Sequence, residues 1–292
     1  MIRIEENDDE VRLETDALKA TVRKRGYVSG TAAGSLVDKQ TGARDPGFGC
    51  HIADFLLAPG WREDGYGRDP LLHGPWPKHY VEGPQICTQA GYLPVYVDRE
   101  GEAVLVSTEY TFTEAGEGYA AGSRWEQRLL FEPGKRYFLS SDVITMNNSA
   151  VGVSFRLDMP CHLKHQRGDT FLEVYLSYAG HIPPHEFYED FGPHEKFCYE
   201  RGVGAVPSRM IRAQRLRLSD GPGPWLAGMT LQPEVVWQAW CHQRGYVCFI
   251  QEIGGLNVEK GDVLRADYVV GYFDSMAKME RTYDEERARL GF

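Results

Sequence analysis

The sequence contains no apolar run approaching the roughly 18 residues of a membrane-spanning helix, so no helical anchor is expected. Its 6 cysteines (Cys50, Cys87, Cys161, Cys198, Cys241 and Cys248) include no C-x-x-C pair, the spacing of structural zinc and dithiol redox sites. The G-x-S-x-G elbow of serine hydrolases is missing. Gly26, Gly30 and Gly34 are not followed by the Gly-Lys-Ser/Thr of a phosphate loop, so no nucleotide cofactor is expected. Positive charge is also scarce. With 32 Lys and Arg against 42 Asp and Glu the net charge is −10, which repels nucleic acid and anionic membranes alike. Finally, no ten-residue helical periodicity separates the strand-like segments, which disfavours a parallel α/β fold.

The N-terminus, Met1-Ile2-Arg3-Ile4-Glu5-Glu6, lacks the apolar core of a secretory signal, and the expected location is the cytoplasm. The apolar neighbours of Cys198, Cys241 and Cys248 fit buried, reduced thiols. Disorder is expected only over the acidic stretch from Glu5 to Glu10.

What is present is a strand-and-turn composition, with 32 Gly, 16 Pro and 12% aromatics. Period-two alternation predicts strands in three places. Val153, Phe155, Leu157 and Met159 alternate with Ser154, Arg156 and Asp158. Leu264, Ala266, Tyr268, Val270 and Tyr272 alternate with the residues between them, as do Leu18, Ala20 and Val22. Turn signals lie at Lys39-Gln40-Thr41-Gly42, Glu132-Pro133-Gly134-Lys135, Asn147-Asn148-Ser149 and Glu259-Lys260-Gly261-Asp262. The expected fold is all-β, a large antiparallel sandwich occupying residues 1–292 as one domain. One helix closes it, capped by Asp274 or Ser275, with Met276, Met279 and Tyr283 on the face turned to the sandwich.

Two long stretches, Asp45 to Pro94 and His181 to Pro207, read as loops rich in Gly, Pro, aromatics and His. Loops of that length in a compact domain are usually functional, and both are expected to line one cleft. Eight of the 9 histidines fall in or beside them: His51, His73, His79, His162, His165, His181, His185 and His194, with His242 apart. Histidine carries protons near neutral pH. The spacings His73-x5-His79-x2-Glu82 and His162-x2-His165 are not specific for a metal, so none is expected and activity should survive chelation. Trp61 and Trp76 stand in loops, where a flat ring packs against the apolar face of a sugar, whereas Trp125 and Trp225 read as core.

Three segments, in order, resemble the aldose 1-epimerase superfamily, nearest its hexose-6-phosphate mutarotase-like branch. They are Leu72-His73-Gly74; Ile144 to Ser149 running through Val153-Ser154-Phe155 to His162; and Glu234-Val235-Val236-Trp237 with Tyr246 to Glu252 and Val258 to Asp262. The resemblance implies a galactose mutarotase-like supersandwich, a small-molecule or oligosaccharide substrate and no cofactor. It also implies His162 as general acid, Glu252 as general base and His73 as a sugar contact. His79, Trp76, Trp61, His165, Arg167 and Trp237 complete the expected binding set. On this reading Glu252 and His162 face each other across a cleft less than about 10 Å wide. Glu252→Gln would then stop turnover and leave the melting temperature nearly unchanged. Two other readings stand beside it. One is a uronate lyase, with Tyr80, Tyr92, Tyr178, Tyr188 or Tyr199 abstracting the proton and Arg124, Arg167 or Lys78 neutralising the carboxylate. The other is a sugar-binding protein without catalysis.

Overall fold

The computed structural model describes residues 1–28, 30–62, 76–165, 168–193 and 195–292. Among these residues the strands form antiparallel sheets of four, eight and nine strands. The three alternating segments lie in the strands Ala150–Leu163, Val263–Phe273 and Leu18–Arg23. Each of the four turn signals joins two successive strands. Gly261 takes φ 97°, a left-handed backbone that other residues adopt only at a cost, and the Glu259 amide donates to Asp262 across the same turn.

The main core lies between the eight- and nine-stranded sheets. Alternation supplies it: Phe155, Leu157 and Met159 meet Phe249, Ile253, Tyr268 and Val270, all buried. Trp125 is fully buried and its indole N–H donates to Asp142 (2.8 Å), and Trp225 is buried as well. The helix Met276–Leu290 covers the other face of the nine-stranded sheet. Ser275 caps it by accepting from the Lys278 amide (3.2 Å), and Met279 and Tyr283 pack on Ile211, Met229 and Val269.

Three expectations are corrected. The acidic N-terminal stretch is a hairpin, Arg3–Glu6 with Glu10–Glu14, because Val11 and Leu13 bury one of its faces. The stretch from Asp45 onward contains a 13-residue strand, Gly47–Pro59. It hid from a period-two reading because it is covered on both faces, so Ile52 to Ala58 is almost continuously apolar. Cys198 is exposed, while the other five cysteines are buried, and all six are free thiols.

Candidate functional site

The outer face of the eight-stranded sheet, turned away from the core, holds a cavity of about 330 Å³. The strands Gly47–Pro59, Ala150–Leu163, Val247–Val258 and Val236–Gln243 run side by side beneath it. They contribute Ile52 and Asp54; Arg156, Asp158 and His162; Cys248 and Ile250; and Trp240 and His242. Tyr27, Phe48, Gln85, Thr88 and Tyr246 complete the wall.

Two register shifts place the charged groups. Between Ala53 and Leu56 the first strand advances three residues while its partner advances two, from Leu157 to Phe155. The extra residue lets both Asp54 and Phe55 leave the core. Ala53 and Leu56 stay in it, Phe55 packs outside with Leu57 and Tyr80, and Asp54 turns to the cavity. The second shift lies between Asp158 and Leu163, a five-residue step that opposes only three residues, Ile250 to Val247. A regular strand would carry residues four apart about 13 Å from each other. Here His162 Nδ1 lies 3.3 Å from Asp158 Oδ2.

The His162 ring is held between Phe48 (centroids 4.9 Å apart) and Tyr246 (4.3 Å). Cys248 Sγ approaches its Nδ1 at 3.4 Å and its Nε2 at 3.6 Å. Asp158 is buried, its Oδ1 accepts from the Phe249 amide (2.8 Å), and its Oδ2 has no hydrogen-bond partner. Asp54 Oδ1 accepts from Gln85 Nε2 (2.8 Å) and from the Cys87 thiol (3.3 Å). Burial pushes the Asp54 carboxyl above the usual carboxylate range, against a smaller pull from Arg156. Burial holds His242 neutral down to about pH 4. It also raises the phenols of Tyr27 and Tyr246, so neither is a ready base near neutral pH. The Arg156 guanidinium lies over the Trp240 ring (4.9 Å).

Glu252 does not line this cavity. It is fully buried, accepting from Lys78 Nζ (2.6 Å), Ser154 Oγ (3.2 Å), Arg156 Nε (3.0 Å) and Arg156 Nη2. Burial alone would raise its carboxyl, but Lys78 and Arg156 together hold it below the usual value. A carboxylate stabilised this way is a counter-ion and a poor base. Glu252 and His162 therefore do not face each other across the cleft: His162 is in the cavity wall and Glu252 is under Arg156.

The other expected binding residues scatter. His79 donates from Nδ1 to the Gly60 carbonyl (3.0 Å) and stacks on Tyr119. His165 is buried flat against Phe171 (3.8 Å), donating to Thr170 and accepting from the Gly168 amide, so it is held as a core residue. Trp61 is exposed, Trp76 leans edge-on toward Trp240 (6.4 Å), and Trp237 covers the Lys78 ammonium (4.6 Å) and packs on Gly255. His73, Arg167 and His194 lie outside the described residues. Glu82 is buried under the Ser123 and Asn148 side chains, and His51 is buried against Asp142 (2.7 Å). His242, set apart by position, lines the cavity. Among the described residues, none from His181 to Pro207 lines it.

The residues missed were Asp54, Asp158 and Cys248. One signal pointed at the first: a carboxylate inside the apolar run Ile52 to Leu57 is costly unless it has a purpose. Asp158 was visible only as the polar half of an alternation, and that half belongs to a lined cavity.

No protein-family model and no curated protein sequence matches the chain. Solved structures do. An α-N-acetylgalactosaminidase (NagBb) from Bifidobacterium bifidum, in complex with GalNAc, superimposes with a TM-score of 0.51 at 13% identity, covering 100% of this chain and 38% of that one. A galactose 1-epimerase from Lactobacillus acidophilus NCFM gives a TM-score of 0.48 at 10% identity, covering 94% of this chain and 98% of that one. This chain thus spans 38% of the length of the N-acetylgalactosaminidase, and at such identity the likeness is one of fold. The antiparallel sandwich of galactose mutarotase-like type with a C-terminal helix, expected from the sequence, is the fold observed.

Proposed function

We propose that this protein takes a sugar ring into the 330 Å³ cavity and interconverts its anomers, as an aldose mutarotase does. The reading is carried by one observation. A carboxyl whose hold on a proton is strengthened by burial, Asp54, and an imidazole with a carboxylate beside it, His162 with Asp158, stand in the wall of one cavity that also offers aromatic faces. The volume is at the lower end for ligand pockets and suits one ring. Trp240, Phe48 and Tyr246 supply flat apolar surface, and Gln85, Thr88 and Arg156 supply hydrogen-bonding groups for hydroxyls. The shared fold with an N-acetylgalactosaminidase seen with GalNAc fits a carbohydrate ligand.

Mutarotation opens a cyclic hemiacetal and recloses it on the other face. One group must take the proton of the anomeric hydroxyl while another gives one to the ring oxygen. Asp54 is the donor, since Gln85 and Cys87 both bond its Oδ1 and leave Oδ2 for a proton. His162 is the acceptor, with Asp158 beside Nδ1 stabilising the imidazolium. The base role expected of Glu252 passes to this pair, and Glu252 keeps Arg156 at the cavity floor. Each proton transfer contributes about 10²–10⁴-fold.

Exchange NMR on a panel of neutral, phosphorylated and uronic aldoses tests the proposal. Anomer exchange above the buffer rate, reduced at least 100-fold in Asp54→Asn and in His162→Asn, is expected. Exchange at the buffer rate for every sugar, or full exchange in both variants, would refute it. None of the five tyrosines suited to a lyase lines this cavity. Appearance of an unsaturated uronate would revive that reading.

A further inference from the structure

We infer that a second cavity, beside the first, binds the next ring of a reducing disaccharide, so that the sugar is presented by the reducing end of a short oligosaccharide. The chemistry here rests on the mutarotase reading; the binding rests on a separate set of side chains. The second cavity measures about 270 Å³. It lies on the same outer face, over the strands Gly47–Pro59, Lys78–Gly83 and Glu114–Ala115, which follow one another to the sheet edge. Phe55, Tyr80, Gln85, Gln89 and Glu114 line it. Gln85 lines the first cavity too, so the two meet at that side chain.

The register shift that frees Asp54 also sets the spacing of the two cavities. In a regular strand Asp54 and Phe55 would point to opposite faces. The extra residue between Ala53 and Leu56 turns both outward, Asp54 into the first cavity and Phe55 into the second. Their Cα atoms are about 3.8 Å apart, as across any trans peptide. Cavities entered from consecutive residues are adjacent on the scale of two rings joined through one oxygen. Gln85 is fixed from both sides. Its Nε2 donates to Asp54 (2.8 Å), its Oε1 accepts from the Thr88 hydroxyl, and its backbone N–H donates to Gln89 Oε1 (2.9 Å). The lining suits a sugar. Phe55 and Tyr80 meet edge to face (centroids 5.1 Å apart) and supply the aromatic surface on which the apolar face of a pyranose packs. Glu114 and Gln89 are exposed and offer a carboxylate and an amide to hydroxyls. The first cavity, at about 330 Å³, suits one ring, so a sugar attached to that ring must leave it. Next to Gln85 stands a cavity of comparable size with the lining such a sugar needs. Binding energy from a ring remote from the reacting carbon is available to raise kcat/KM.

The test uses the full chain and compares the aldose it turns over fastest with 4- and 6-linked disaccharides carrying that aldose at the reducing end. Where the aldose is glucose, these are maltose, cellobiose and melibiose. Exchange NMR reads kcat/KM and titration calorimetry reads affinity. At least one disaccharide should exceed its monosaccharide by about ten-fold or more in kcat/KM. That advantage should vanish in the double variant Glu114→Ala, Gln89→Ala, whose two side chains are exposed, with circular dichroism confirming the fold. Tyr80→Leu should lower the same ratio by removing the ring. No advantage for any disaccharide, or an advantage that both variants leave intact, would overturn the inference while monosaccharide exchange keeps the mutarotase reading. Should every sugar exchange at the buffer rate, calorimetry on glucose and its three disaccharides decides alone. A disaccharide binding about ten-fold tighter than glucose, with that margin lost in the double variant, would keep the second-ring site and remove the mutarotase chemistry. No such margin would remove both.

Discussion

Replacing Glu252 by Gln separates two accounts of that residue. As a catalytic base it would be expendable for stability. In the structure it is the anion between two cations, Lys78 and Arg156, which are 1% and 3% exposed, and it is itself fully buried. Gln keeps the shape and one acceptor oxygen but removes the charge. The Lys78 ammonium is then left with Gln238 Oε1 (2.5 Å) and the rings of Trp237 and Trp240, facing a guanidinium of like sign. Burial already pulls the Lys78 ammonium below its usual value, and Glu252 is the main group opposing that. Removing one partner of a buried ion pair costs about 3–5 kcal/mol, because the other charge remains uncompensated. Unfolding entropy of roughly 2.1 cal/mol/K per residue over 292 residues makes 1 kcal/mol worth about 1.6 °C. The midpoint should therefore fall by roughly 5–8 °C. Differential scanning calorimetry reads this directly. Adding Lys78→Met should recover part of the loss, since the double variant no longer buries an unpaired ammonium. A shift below about 1 °C for Glu252→Gln, or no recovery in the double variant, would refute the counter-ion account.

Three further outcomes are expected. His242 and His165 each stay neutral in the fold down to about pH 4, against about 6.5 when unfolded. The unfolded chain therefore binds more protons between those values, and stability falls as pH drops through that window. Asp45, raised to about 6 by burial, acts oppositely between about pH 4 and 6, where the fold holds the extra proton. His242→Gln should flatten the slope of unfolding free energy between pH 6 and 4.5 by up to about 1.4 kcal/mol per unit, read by urea titration; an unchanged slope counts against a neutral buried imidazole. Asp54→Asn should fold at pH 7 with a midpoint equal to or above that of the wild type, because burial favours the neutral side chain, which Asn reproduces; a clear loss would show that the carboxyl is needed for the fold. Ser275→Ala should cost about 1 kcal/mol through the lost cap on the C-terminal helix, a fall of about 1.6 °C.

Much of the fold was legible because it rests on short-range rules. Alternation from Val153 to Met159 requires one buried face whatever the partner strand, and Glu259 to Asp262 turns on its own glycine and carboxylate. Met276, Met279 and Tyr283 come to one side of a helix by its period alone. The strand Gly47–Pro59 was less legible, since a segment buried on both faces has no polar half to mark its period. The site was legible only in part. His162 came from a resemblance and does line the cavity, but spacing could not find its neighbours, because Asp158 and Cys248 reach it through a register shift and a facing strand. Sequence also showed that a carboxylate in the apolar run ending at Ile253 needs a reason to be there. Whether that reason was chemistry or charge pairing depended on Lys78, 174 residues away in the chain, and on Arg156 across the sheet. Local patterning determined the strands, the turns and the closing helix, because each follows from the chain's own period. Which buried charges are paired and which are left to act on a ligand was decided by contacts between distant strands, which only the tertiary structure brings together.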